Sequence, residues 1–382
     1  MDKVNIETAK LPICDHCLGR IYALLGHGLS NEERGKAIRV MFAMENNVNV
    51  ETLIPENCEV CDNIFSRLED YAHYISQILK DYEYDTFMIG SRFSKETMAK
   101  DEEYRMEFGN MGEPINREFN RELGKMVMSL TGKEATTKDP DITVIVDTKY
   151  DDVRLEIKPI LIYGRYRKLV RGIPQTKWPS GKYMESVEEI IAAPIMKITG
   201  GSGHALHGMG REDIDARMLG NGRPFIVEIK APRRRRVDLQ KIQEEINSSG
   251  KVEVMDLRFA TKDEIQKIKS ADPRKRYRVG IRVDADEEDI RRALSSLVGK
   301  ISQRTPTRVK HRRADRVRIR EVYEIKLVEG KKDTWVVEVL AQSGTYIKEL
   351  MHGDGGRTTP SLAEKLDKRV EVLWLDVIEI LD

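Results

Sequence analysis

Two C-x2-C units, Cys14 with Cys17 in CDHC and Cys58 with Cys61 in CEVC, hold every cysteine of this 382-residue chain. Each unit sets two thiolates on one turn, and two such turns complete a tetrahedral shell around zinc. The N-terminal fold must therefore bring both pairs together across 40 intervening residues. That span exceeds a short ribbon, so a helix has to fold back between them, and ERGKAIRVMFAM (33–44) has the period for it. Two disulfides are a rival use, opposed by a reducing compartment. Catalytic zinc is another, but four thiolates fill the shell and leave no position for water. His16 could replace one ligand, although its place inside the first turn is awkward for that. The expected cofactor is one structural Zn2+ on Cys14, Cys17, Cys58 and Cys61.

This length admits two or three domains with ample core. Lys+Arg 65 against Asp+Glu 64 gives a formal net charge of +1, with charged residues at 34% and aromatics at 6%. Such a balance suits a soluble protein and does not by itself indicate nucleic acid. The charge is unevenly placed, however. Residues 1–80 carry 8 Lys/Arg against 12 Asp/Glu, whereas PRRRR (232–236), RKRYR (274–278) and RVKHRRADRVRIR (308–320) are densely basic. One such run is usually a solvated face; three in one half of a neutral chain point to a phosphate-binding surface. No segment approaches the roughly 18 apolar residues of a membrane span. The opening MDKVNIETAK lacks a basic head followed by an apolar stretch. A cytoplasmic location without membrane contact is expected.

FSRLEDYAHYISQILKDY (65–82) reads as an amphipathic helix closing a zinc-binding helical region over 1–82. DTFMIGSRF (85–93) reads as a strand and INREFNRELGKMVMSLTGK (115–133) as a helix ending near Gly132. DITVIVDT (141–148) and VRLEIKPILIYGRYRKL (153–169) alternate like paired strands, which completes a compact α+β module over 83–167. KLVRGIPQTKWPSGKY (168–183) has Pro and Gly but no period, and reads as a linker into a region over 168–382. There, helices in SVEEIIAAPIMKITG, TKDEIQKIKSA and EEDIRRALSSLVGKI interleave with strands in PFIVEIKA, VEVMDLRFAT, RYRVGIRVDA and RVEVLWLDVIEIL. REVYEIKLVEGKKDTWVVEVLAQ predicts a hairpin turning at Glu329-Gly330, and GTYIKELMHGD a short helix closed by Gly353. The expected class is α+β, with a mainly antiparallel sheet in the last region.

The chemistry concentrates in GMGREDIDARMLGNGRPFIVEIK (208–230), and three readings compete. Asp215 followed by Glu228-Ile-Lys230 fits the D…E-x-K pattern of metal-dependent nucleases, where two carboxylates hold Mg2+ and a lysine supports the attacking water. That pattern is loose. Alternatively, Asp213 and Asp215 are exposed turn acids paired with Arg211 and Arg217 in a non-catalytic, zinc-bearing RNA-binding protein. The third reading is a metal-free reaction on a flipped-out base. It needs an aspartate kept ionised by a close cation, an aromatic face, and an arginine to fill the vacated stack. Asp213, Lys348, Tyr277 and Arg211 supply those pieces. The glycines and the spacing of Ile214, Arg217 and Met218 predict a turn entering a helix, so that only one of the two acids faces a pocket. His204 and His207 lack a nearby third ligand and are not read as a metal site.

GRED (210–213) resembles the G-R-x-D element that carries the aspartate of tRNA pseudouridine synthases. SGTYIKELMHGD (343–354) resembles the GTYIRSL-type element of the T-loop uridine enzymes, and KRYRVGIRV (275–283) the strand bearing their tyrosine. The longer strings KPILIYGRYRKLVRGIPQTKW, GREDIDARMLGNGRPF, TPTRVKHRRADRVR and GTYIKELMHGDGGRTTPS are more specific. In this order they resemble the archaeal and eukaryotic tRNA pseudouridine synthase 10 family over essentially the whole chain. The paired C-x2-C units and the α+β module, which is similar to a THUMP domain, agree with it.

That resemblance implies isomerisation of uridine to pseudouridine at positions 54 and 55 of the tRNA T-arm. It implies tRNA as partner, no obligatory protein partner, no organic cofactor and no catalytic metal. Asp213 would attack the base or the sugar, Arg211 would enter the space left by the uridine, and Tyr277 would stack on the uracil. Lys348 would keep Asp213 ionised. Ile347 beside it is a candidate substrate contact, although its spacing from Met351 favours the core. Arg308, Arg312 and Arg313 would meet the RNA. Two positions depart from the bacterial T-loop pattern. Lys348 stands where arginine is usual, keeping the charge without the two-pronged geometry. Arg308 stands where those enzymes have a tyrosine, so Tyr277 must offer its ring from another strand.

Overall fold

Ser30 starts the helix that the cysteine pairs require. Its Oγ accepts from the Glu33 N–H at 3.2 Å, and its own N–H donates to Glu33 at 2.6 Å, closing a capping box. This helix, α2 (Asn31–Asn46), packs on α1 (Asp15–Ile21), which begins inside the first cysteine pair. The contact is backbone on backbone. A Cβ on Gly19 would lie 1.7 Å from the Asn31 carbonyl oxygen, and one on Gly35 2.1 Å from that of Asp15, so only glycine fits at either position. The computed structural model describes residues 4–108 and 112–381. The chain divides into two units, Met1–Lys158 with Ala231–Arg235, and Pro159–Lys230 with Arg236–Asp382.

The first unit continues through α3 (Leu68–Leu79), β1 (Thr86–Arg92), α4 (Lys95–Glu107), α5 (Ile115–Thr131), β2 (Glu134–Ala135), β3 (Ile142–Asp147) and β4 (Asp152–Ile157). Its sheet has the order β2-β1-β3-β4, with β1 parallel to β2 and β3, and β3 antiparallel to β4. Phe119 on α5 gathers the neighbouring rings, with Phe93, Tyr71 and Phe65 centred 5.4, 6.0 and 6.3 Å away. One core runs from Ala9 through the cysteines to Val146. The expected boundary between residues 82 and 83 is therefore no break, because α3 packs on α5. Helix α4 has no periodic signal in the sequence: KETMAKDEEYRME offers almost no apolar face, and Asp101 is its one buried residue.

The second unit holds β5 (Ile160–Lys168), α6 (Val187–Thr199), β6 (Gly203–Gly208), β7 (Arg217–Lys230), α7 (Leu239–Asn247), β8 (Val252–Phe259) and α8 (Lys262–Ser270). It goes on with β9 (Arg274–Arg282), α9 (Glu287–Ser295), β10 (Gly299–Arg304), β11 (Val317–Lys331), β12 (Thr334–Ala341) and α10 (Ile347–His352). Strand β13 (Thr358–Thr359), α11 (Leu362–Leu366) and β14 (Glu371–Leu381) complete it. The sheet runs β13-β10-β11-β12-β9-β14-β7-β5-β8, with β6 also on β7. Every pairing is antiparallel except β14 with β7. The mainly antiparallel sheet expected from the sequence is present.

Three boundaries differ from expectation. The smaller module expected over 83–167 loses residues 160–167, because β5 lies between β7 and β8 of the larger sheet, after a break at Pro159. The cause is burial: β5 carries apolar residues at Ile160, Leu161 and Ile162 in succession, as a strand covered on both faces needs. The hairpin turns at Lys332-Asp333, since Lys331 pairs with Thr334. Helix α9 ends at Ser295, and the GKI segment assigned to it opens β10. Among the described residues no helix is long and apolar enough to cross a membrane.

Candidate active site

In the first unit the four thiols converge. Cys14 and Cys61 have Sγ atoms 3.6 Å apart, Cys17 and Cys58 3.5 Å, and all four lie within 4.8 Å of one another. Zinc–sulfur bonds of about 2.3 Å in a tetrahedron put sulfurs roughly 3.8 Å apart, so the set fits a closed four-thiolate shell. None of the four is in a disulfide. Arg20, buried between Asp101 and Glu118 at 2.8 Å from each, donates to Cys17 Sγ at 3.3 Å, a charge suited to thiolates. His16 is spoken for elsewhere: Nδ1 lies 2.9 Å from Glu118 and the ring stacks on Phe65 at 4.4 Å.

In the second unit the loop between β6 and β7 carries Arg211, Glu212 and Asp213. A buried polar network fixes its path. Arg223 donates to the Met209 carbonyl at 2.6 Å and Gln175 to that of Gly210 at 3.0 Å. Lys168 Nζ donates to the carbonyls of Asp213 and Ile214 at 3.0 and 3.3 Å. Glu212 points inward, accepting from Tyr166 at 2.9 Å and Arg223 at 3.0 Å. Burial lowers the Lys168 pKa below the usual lysine value, against the opposing pull of Glu212. Alternation along the loop then turns Asp213 outward, into a cavity of about 430 Å3. That volume is in the range of small-ligand sites.

Asp213, Arg211, Tyr277, Arg308, Arg313, Ile347 and Lys348, all anticipated, line this one cavity. Arg308 Nη1 is 3.0 Å from Asp213 and its Nε donates to the buried Glu349 at 2.7 Å. Burial disfavours the Arg308 charge, but Glu349 and Asp213 outweigh it and hold the pKa above the usual value. Lys348 was expected to pair with Asp213; it lies 3.6 Å from that carboxylate and only 2.7 Å from Asp215, to whose two oxygens it donates. Burial pushes the Asp215 pKa up, yet Lys348 overcomes this and holds it below the usual range. The reason for the exchange is the chain path. Arg217 begins β7, so the helix expected after Asp213 is a tight turn, and Asp215 bends back toward α10. Asp215 itself is exposed and does not line the cavity.

Tyr277 on β9 is 8% exposed, and burial pushes its hydroxyl up to about 12. Ile347 is buried and lines the cavity, whereas Met351 sits in the core. Arg313 Nη1 donates to the Tyr346 hydroxyl at 3.0 Å. The side chain of Arg312 lies outside the described residues. Other basic runs are largely occupied by acids: Arg276 with Glu324 and Glu379, Arg278 with Glu338, and Arg235 with Asp141. The nuclease pattern is not assembled, because Asp215 is held by Lys348 and Glu228 pairs with His207 at 2.9 Å. Sequence reasoning missed Lys275, Arg223 and Tyr346 on the cavity wall. For Lys275 a signal existed, since it stands two residues before Tyr277 on one strand and so shares its face.

A carboxylate between cations, on a loop of a mainly antiparallel sheet whose cavity a tyrosine also lines, is the arrangement that the resemblance to pseudouridine synthases leads one to expect. The family model described as Pus10, C-terminal, matches residues 161–381, and that described as Pus10 THUMP domain, archaeal, matches 71–147. The tRNA pseudouridine synthase Pus10 of Pyrococcus furiosus is 45% identical, over 97% of this chain and 95% of that protein. Its namesakes from Thermoplasma acidophilum and Methanopyrus kandleri are 41% and 40% identical, over 98% and 100% of this chain and 97% and 98% of theirs. The chain belongs to the Pus10 family.

Proposed function

We propose that this protein is a cytoplasmic tRNA pseudouridine synthase that isomerises uridines 54 and 55 of the T-arm, with Asp213 as its catalytic carboxylate. The observation that carries the reading is Asp213 itself: it faces the cavity, 3.0 Å from Arg308 and 3.6 Å from Lys348. The two cations pair with the carboxylate where it faces the cavity, and a carboxylate so placed is a group able to attack. Tyr277 offers the uracil a ring on the same wall, and exposed Arg211 is placed on the loop to occupy the gap left in the stack. Ile347 closes the apolar side. Arg308 acts on Asp213 rather than on the RNA backbone, and Arg313 with Arg312 remains for phosphate contact.

The four cysteines would hold a structural zinc, which supplies folding free energy and no chemistry of the reaction. The test is incubation of zinc-loaded protein with an unmodified tRNA transcript in chelator, followed by chemical mapping of pseudouridine. Signal at 54 and 55 is expected; an unmodified T-arm would overturn the proposal.

A further inference from the structure

Lys275 is the buried charge that the site described so far leaves unexplained. It lies on β9, two residues before Tyr277, and is 6% exposed on the cavity wall. An ammonium has three donors. Among the described residues its one hydrogen-bond partner is Ser343 Oγ at 3.1 Å, and no carboxylate lies within ion-pair distance. Arg223 is close by: a Cβ on Gly210 would meet Lys275 Nζ at 3.0 Å and Arg223 Nη1 at 3.3 Å. Glu212 neutralises Arg223 at 3.0 Å, and nothing comparable neutralises Lys275. A buried cation without a charged partner is costly to hold unless a ligand supplies the missing acceptors.

We propose that Lys275 donates to the carbonyl edge of the flipped uracil and holds the negative charge that gathers there as the glycosidic bond breaks. This rests on the uridine-isomerising reading above. Residues two apart on a strand lie roughly 7 Å from each other on one face, so a base stacked on Tyr277 brings its edge within reach of Lys275. When the C1′–N1 bond breaks, its electron pair passes to N1 and spreads onto O2 and O4. A preorganised donor at that edge stabilises the charge as it develops. C5 then bonds to C1′ and loses its proton while N1 gains one, so the sequence is a net isomerisation and Lys275 keeps its own proton throughout.

Burial and Arg223 push the Lys275 pKa down to about 8, against the pull of Asp272 and Glu212. Arg223 acts from β7, Glu212 from the loop before it, and Asp272 from the turn before β9; Asp213, Arg308 and Lys348 share the cavity. Single-turnover pseudouridine formation by wild type, Lys275→Met and Lys275→Arg between pH 6 and 9 tests the role. Lys275→Met should be slower by about 100-fold at pH 7, the loss typical of one such donor, with tRNA affinity within about threefold of wild type. The wild-type rate should fall above pH 8, whereas Lys275→Arg, always charged, should hold its rate to pH 9. Activity of Lys275→Met within threefold of wild type would overturn the assignment. So would a loss of tRNA affinity with a shallower salt dependence, which marks a phosphate contact, or a wild-type alkaline limb surviving in Lys275→Arg. If Lys275→Met does not fold, the arginine profile still decides. A wild type that makes no pseudouridine at all is a different failure, that of the function itself.

Discussion

Arg308 Nη1 lies 3.0 Å from Asp213 while its Nε reaches Glu349 at 2.7 Å. The guanidinium fork joins a buried carboxylate to the one in the cavity, which no single-point cation can do. Arg308→Lys keeps a charge but cannot make both contacts. Turnover in single-turnover assays should fall about tenfold or more, with tRNA affinity little changed, because the loss is of orientation at Asp213. Full activity in Arg308→Lys would assign the holding of Asp213 to Lys348.

Freshly purified protein should contain one zinc per chain. Cys58→Ser should lower metal content and reduce Tm by on the order of 10 °C, since structural zinc binding is folding free energy. Metal analysis alongside calorimetry checks both halves, and absence of stoichiometric zinc contradicts the closed thiolate shell.

Tyr277→Phe should keep most activity and Tyr277→Ala should lose about 10- to 100-fold, from a stacking contribution of roughly 1–3 kcal/mol. Equal damage in both would show that the hydroxyl is needed.

Lys275 also has a stability signature. Its pKa drops on folding from 10.5 to about 8, so the folded state disfavours the charged form. The penalty is fully present below pH 8 and is relieved as pH rises toward 10.5. The change corresponds to at most about 3 kcal/mol. Lys275→Met should therefore be more thermally stable than wild type at pH 7, with the difference shrinking by pH 10.

The paired cysteines and the short helix closed by Gly353 were legible from local patterns, whereas the meeting of Asp213 and Tyr277 on one cavity was legible only through the resemblance. What it concealed depends on distant pairing. The turn at Asp215 looked like a helix start because Ile214, Arg217 and Met218 have helical spacing, yet Arg217 and Met218 pair with Asp376 and Val377 of β14. No local signal carries a parallel contact across 159 residues. The same applies to Lys348, which pairs with Asp215 because the chain turns there, and to Glu349, which is paired only through the fold. Lys275 was hidden differently: inside RKRYR it reads as one charge of a phosphate-binding surface, while the strand alternation that buries it is in view.

The most direct measurement maps pseudouridine at positions 54 and 55 of a tRNA transcript treated in EDTA with zinc-loaded wild type, Asp213→Asn and Asp215→Asn. Asp213→Asn keeps the shape of the side chain but cannot attack, so it should bind tRNA and form no pseudouridine. Asp215→Asn, exposed and outside the cavity, should retain substantial turnover. An inactive Asp215→Asn beside an active Asp213→Asn would contradict the assignment of the catalytic carboxylate.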